Sequence, residues 1–177
     1  MSQKILKVVL YDEPEYKGRI STKACLSSEL LRDMICPLAD DVVDDDISDV
    51  PISNVDSETM DKVVEYLEYH VDNPMTTIPK PIPCCDVERI VGKWDADYID
   101  MDVSHPKFTK LTLAANFLNC KPLLDLCMCQ LASKIKDKEL AEVREILNIR
   151  HEIPNEEEKK IRQANPWIFR VPNGSSG

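Results

Sequence analysis

Glycine is nearly absent from the body of this 177-residue chain. Of its four glycines, Gly174 and Gly177 sit in the closing Asn-Gly-Ser-Ser-Gly, which leaves only Gly18 and Gly92 further in. Loops that cradle phosphate need several glycines so that the backbone can approach the anion. The chain therefore carries no Walker loop, no dinucleotide fingerprint and no Gly-x-Ser-x-Gly elbow. No nucleophile–base constellation stands out, so no catalytic residue, cofactor or enzyme activity is expected. Positive charge is also short. The 22 Lys+Arg against 32 Asp+Glu leave a net charge of −10, which argues against nucleic acid as a partner because the phosphate backbone would be repelled at long range. Uninterrupted apolar runs long enough to span a bilayer (about 18 residues) are missing, so no membrane partner is expected. Met1-Ser2-Gln3-Lys4 leads straight into an apolar strand rather than a secretory h-region.

Cysteine is present but wrongly arranged for a disulfide framework. The count is seven, an odd number, with Cys84 and Cys85 adjacent. That pattern suits free thiols in a reducing compartment, cytoplasm or nucleus. No metal site is expected: Cys127 and Cys129 leave different faces of a helix, and His70, His105 and His151 lack ligand spacing.

What is present reads as a compact α/β unit followed by something smaller. Hydrophobic residues make up 43% and charged residues 31%, a globular balance. Ile5 to Tyr11 is β-branched and apolar, and Tyr16 to Ile20 can return as the second strand of a hairpin. Leu26, Leu30, Leu31 and Met34 then fall at helical spacing, with Ser27 and Ser28 placed to cap between two short helices and Pro37 as the stop. Residues 38–49 form an acidic loop, expected to be solvated and self-repelling. Val50-Pro51-Ile52 is a short strand whose proline points to a sheet edge. Asp56 or Ser57 can cap a helix to about His70 with the stripe Met60, Val63, Val64, Leu67 and Val71.

Four prolines between 74 and 83 make the 74–88 segment an extended loop. Helices follow, marked by Phe108, Leu111, Ala115 and Leu118, then by Pro122 opening a helix with Leu124, Cys127, Met128, Leu131 and Ile135. Leu140, Val143, Ile146 and Leu147 mark a third. Pro154-Asn155 starts a fourth, with Glu156–Lys160 and Glu158–Arg162 as i,i+4 pairs, ending at Asn165-Pro166-Trp167. This organisation predicts a domain over 1–131, a helical extension over 132–170 and a disordered tail over 171–177. The extension carries Val143, Ile146, Leu147, Ile161, Trp167, Ile168 and Phe169, too little to form its own core. Those side chains must lie on the domain or on another chain.

At these segments the sequence resembles the Skp1 family, adaptor subunits of SCF-type ubiquitin ligases. Leu111-Thr-Leu-Ala-Ala-Asn-Phe-Leu-Asn-Cys-Lys-Pro-Leu-Leu-Asp-Leu126 is similar to the family's L-I-L-A-A-N-Y-L-D-I-K-G-L-L-D-V. Trp94-Asp95 with Tyr98-Ile99 is similar to W-D-x-x-F-L, and Glu142 to Arg150 to E-I-R-K-T-F-N-I-K. Glu156 to Trp167 resembles the family's acidic helix closing in N-x-W, and the likeness spans nearly the whole chain. It implies a BTB/POZ-like α/β (α+β) fold, a short three-stranded sheet packed on helices, plus a two-helix C-terminal extension forming an F-box groove.

The resemblance also implies a non-catalytic bridge between F-box proteins and a cullin. Asn116 and Phe117 match cullin-facing positions. Phe108, Leu123, Leu124, Val143, Ile146, Leu147, Ile149, Ile161 and Trp167 are the F-box-facing set. Phe117 stands where the family has Tyr, Pro122 where it has Gly, and Lys136 to Ala141 lacks the family's Gly-Lys-Thr-Pro link. An alternative is a structural subunit of a non-ligase complex that uses F-box-like partners without cullin. A homodimer through the exposed apolar face is a further expectation when no partner is bound.

Overall fold

The computed structural model describes residues 5–11, 13, 15–16, 18–35, 49–150 and 154–167. Most of the acidic loop, Pro37, Ile168, Phe169 and the tail 171–177 lie outside the described residues.

Strand β1 (Ile5–Leu10) turns Leu6, Val8 and Leu10 inward and leaves Ile5 exposed, as period-two alternation requires. β2 (Gly18–Ser21) pairs with it antiparallel, Leu6 facing Ile20 and Val8 facing Gly18. A side chain at Gly18 would run into the ring of Tyr16, whose hydroxyl donates to Asp61 at 2.6 Å. β3 (Asp49–Ile52) joins the other side of β1 in parallel, giving the order β2-β1-β3 with Pro51 on an edge strand as the sequence predicts. A parallel pair needs a crossover, and α1 (Thr22–Cys25) and α2 (Glu29–Ile35) lie in that connection. Ser28 caps α2 by accepting from the Leu31 amide at 3.2 Å, while its hydroxyl donates to the Leu118 carbonyl at 2.5 Å. Of the four apolar residues read at helical spacing here, only Leu31 is fully buried. Leu26 is exposed because it falls at the C-cap of α1, where the chain turns.

Helix α3 (Ser57–Asp72) is capped by Asp56, which accepts from the Thr59 amide at 2.9 Å. Met60, Val63 and Leu67 are buried as the stripe predicts, but Val64 and Val71 are only partly so. Tyr66 and His70 complete the buried face instead, because the helix packed there supplies rings and a carboxylate rather than aliphatics. The Pro-rich connector ends at Asp86, two residues before the expected boundary, where α4 (Val87–Val91) begins. Gly92, at φ +91°, hinges α4 to α5 (Lys93–Ile99). Lys80 reaches Asp125 at 2.7 Å, tethering the connector to a later helix.

That helix is α7 (Lys121–Ile135), which follows α6 (Pro106–Phe117) and packs against α4, α5, α6 and α8 (Leu140–Ile146). Its buried residues are Leu123, Leu126, Cys127, Cys129, Gln130 and Ser133. The apolar pattern places the buried face further round the helix. Leu124, Leu131 and Ile135 are half-buried, and Met128 is exposed. The difference comes from buried polar residues. Gln130 donates to the Met101 carbonyl at 3.4 Å and Ser133 to the Gln130 carbonyl at 2.7 Å, so both sit inside at no unpaired cost.

Packing divides the chain into two compact units, Met1–Leu147 and Asn148–Gly177. The second unit contains α9 (Asn155–Ala164). Glu158 pairs with Arg162 at 2.8 Å as expected, whereas Glu156 takes Lys159 at 3.3 Å, one residue short of the i,i+4 partner Lys160.

Candidate partner-binding surfaces

Helix α6 shows how the sequence divides one helix between core and surface. Pro106 sits in its first turn and His105 caps it, Nδ1 accepting from the Lys107 amide at 3.2 Å. Phe108, Leu111, Ala114 and Ala115 are buried, while Leu113, Asn116 and Phe117 point outward. Leu113 is 62% exposed and Phe117 39%, an i,i+4 apolar pair with Asn116 at its side. The reading from sequence missed Leu113, although its spacing from Phe117 was the available signal.

The end of α6 is held firmly. Asn119 adopts a left-handed φ of +49°, the Cys120 amide donates to Ala115 at 2.8 Å, and the Glu29 and Leu30 amides donate to the Asn119 and Leu118 carbonyls. The Asn119 amide group also donates to the Glu29 carboxylate. Phe117 therefore stands on a rigid mount with its ring partly in water.

The other predicted residues fall into three classes. Phe108 and Leu123 are core residues, 4% and 0% exposed, so their side chains support a surface rather than form one. Leu124, Val143, Ile146 and Leu147 are half-buried. Ile146 also lines a shallow hollow of about 680 Å³ with Met101, Val103, Ser104, Lys134 and Glu145. In the second unit, Ile149 and Ile161 are each 44% exposed and Trp167 is 66% exposed. Every residue of α9 whose side chain is described is exposed except Glu158, which is half-buried. Three glutamates, Glu156, Glu157 and Glu158, occupy its first turn, where the positive end of the helix dipole favours them. Leu140, read from sequence as part of the apolar stripe of α8 but not as partner-facing, is 73% exposed at the start of that helix.

Two of the thiols lie within the core behind these surfaces. Burial pushes the Cys127 thiol up to about 11 and the Cys25 thiol up to about 12, which keeps both protonated and inert. Among the described residues, no group of three or more His, Cys, Asp or Glu is arranged to hold a metal ion. No described helix is long and apolar enough to cross a membrane.

Comparison with known proteins agrees with the mixed α/β fold. A family model described as "Skp1 family, tetramerisation domain" matches residues 4–72, and one described as "Skp1 family, dimerisation domain" matches residues 121–168. Asn116, Phe117 and the α4–α6 segment lie between the two matches. The chain is similar to an S-phase kinase-associated protein 1 homolog of Tetrahymena thermophila, 34% identical over 148 residues, covering 84% of this chain and 85% of the relative. It is 33% identical over 172 residues to SKP1-like protein 12 of Arabidopsis thaliana, covering 96% and 99%. It is 34% identical over 146 residues to the SCF ubiquitin ligase complex protein SKP1a of Dictyostelium discoideum, covering 81% and 83%. The three-stranded sheet with its helices is accordingly the BTB/POZ-like fold, and the chain belongs to the Skp1 family.

Proposed function

We propose that this protein is a non-catalytic adaptor of an SCF-type ubiquitin ligase, bridging F-box substrate receptors to a cullin scaffold in cytoplasm and nucleus. The observation that carries the reading is the exposure of Trp167, at 66%, on a unit whose helix buries none of its own described side chains. A large aromatic left in water costs apolar hydration, and such residues are the common anchors of interfaces. The similarity to a relative named as an SCF ubiquitin ligase complex protein supports the assignment of partner class. Leu124, Val143, Ile146 and Leu147 of the first unit and Ile149, Ile161 and Trp167 of the second are the side chains assigned to F-box contact, with Phe108 and Leu123 supporting from the core of the first unit. Asn116 and Phe117, with Leu113, are offered to the cullin. The bridge acts by geometry: it holds substrate near the ligase's catalytic parts and raises effective concentration.

Titration of the chain with an F-box domain and, separately, with a cullin N-terminal domain tests this. The reading expects both to bind, and simultaneously. Failure to bind any F-box domain overturns it, whereas F-box binding without cullin binding favours the non-ligase alternative.

A further inference from the structure

At the C-terminal end of α3, His70 is enclosed with both ring nitrogens hydrogen-bonded to acceptors. Nδ1 lies 2.9 Å from the backbone carbonyl of Asn73, and Nε2 lies 2.9 Å from Oδ1 of Asp95 on α5. The two side chains are 2% and 10% exposed. A carbonyl oxygen can only accept, so the Nδ1 position must carry a proton. A second proton must lie between Nε2 and the carboxylate, since two lone pairs would otherwise face each other in a dry site. Aromatic rings enclose the pair and keep it dry. Tyr66 packs at 4.3 Å between centroids, and Tyr69 and Trp94 stand edge-on at 5.1 and 5.6 Å. Trp94 itself is stacked on Tyr69 at 3.6 Å and on Tyr98 at 5.2 Å. Of the two partners the carboxyl is ordinarily the stronger acid, so the shared proton belongs on the ring.

We propose that His70 is an imidazolium at neutral pH, ion-paired with Asp95 as a clasp that fixes α5 to α3 and opens when the ring loses its proton. The titratable groups that face it are Asp95 and, on its own helix, Tyr66 and Tyr69. Behind Tyr66 lie Asp125, Cys120 and Cys127. Desolvation by burial opposes the charged ring, but the bonds to Asp95 and to the Asn73 carbonyl outweigh it and raise the His70 pKa above its ordinary value. The sign follows from linkage. A raised histidine contributes stability that is fully present below about pH 6.5, the unfolded value, and is lost as pH rises through the higher folded value. The clasp therefore weakens on the alkaline side. Asp100, just beyond α5, lines the hollow that Ile146 borders, so opening the clasp loosens one wall of that hollow.

Nitrogen NMR of the histidine-labelled full-length chain tests the assignment. The expected result at pH 7 is two N–H-type ring nitrogens for His70, converting to one with a midpoint above 7. A pyridine-type nitrogen at pH 7, or a midpoint below 7, overturns the proposal. A second measurement uses Trp167→Phe, which leaves Trp94 as the sole indole. Protonated imidazole quenches a neighbouring indole, so Trp94 emission should rise across the same midpoint, and Asp95→Asn should move that midpoint down by a pH unit or more. An emission curve that is flat, or indifferent to Asp95→Asn, contradicts it. If Asp95→Asn does not fold, the NMR midpoint of the unmodified chain decides alone.

Discussion

Helices α7 and α9 are of comparable kind and opposite fate. α7 is surrounded by α4, α5, α6 and α8 and takes even glutamine and serine into its buried face. α9 presents nearly every described side chain to water and ends beside a tryptophan that is 66% exposed. The contrast teaches where each is stabilised. α7 is held by tertiary packing within its own chain, whereas α9 relies on local pairs such as Glu158–Arg162, each worth only about 0.2–0.5 kcal/mol. Under the proposed function, a helix held by local pairs and ending in an exposed tryptophan gains its remaining stabilisation from another molecule.

Substitutions should separate the two. The largest effect is expected at Leu123→Ala, which empties a fully buried site on α7 and should cost about 2–5 kcal/mol in urea unfolding. Trp167→Ala should leave unfolding within about 0.5 kcal/mol of the unmodified chain. Combined with Leu147→Ala, it should instead weaken F-box binding by more than about 2 kcal/mol in calorimetric titration. Phe117→Ala should reverse that selectivity, sparing F-box affinity and reducing cullin affinity by about 1–2 kcal/mol. If the double variant binds an F-box domain normally, the division between a packed helix and an offered one loses its functional meaning.

The smallest effect concerns Asp56. The Lys110 ammonium at 2.8 Å, followed by the Thr59 amide, holds its carboxyl down at about 2. A depressed carboxylate contributes stability present above the unfolded value of about 4 and lost as pH falls towards 2. Asp56→Ala should cost about 1 kcal/mol at pH 7 through the lost cap. Asp56→Asn, which keeps a capping oxygen, should cost a few tenths at most, because the Lys110 pair is substantially exposed. The difference between the variants should shrink below pH 3 in thermal unfolding.

Much of this was legible in the residues. The caps were narrowed to Asp56 or Ser57 and to Ser27 or Ser28, of which Asp56 and Ser28 serve, while Pro51 was read as an edge position and Pro122 as a helix opening, because each acts through its own backbone neighbourhood. What was hidden depends on contacts distant in sequence. The parallel pairing of β1 with β3 is set by a crossover, not by either strand's pattern. The burial of Tyr66 and His70 in place of Val64 and Val71 requires knowing that Trp94, Asp95 and Tyr98 pack against them. The rotated face of α7 escaped a search keyed to apolar residues, since Gln130 and Ser133 bury by satisfying their hydrogen bonds. On the candidate surfaces, Trp167 stood out as an apolar residue of an extension too small for its own core and Phe117 was found by likeness to a family, while Leu113 needed the helix to be seen with one side wet.

The central claim is that Trp167 is in water until a partner covers it. Trp94→Phe leaves it as the sole indole, and its emission and acrylamide quenching can then be followed during titration with an F-box domain. The account predicts red-shifted, readily quenched emission from the lone chain, moving to the blue and becoming shielded as the complex forms. Emission already blue and shielded without partner, or unchanged when the F-box domain is bound, would contradict it.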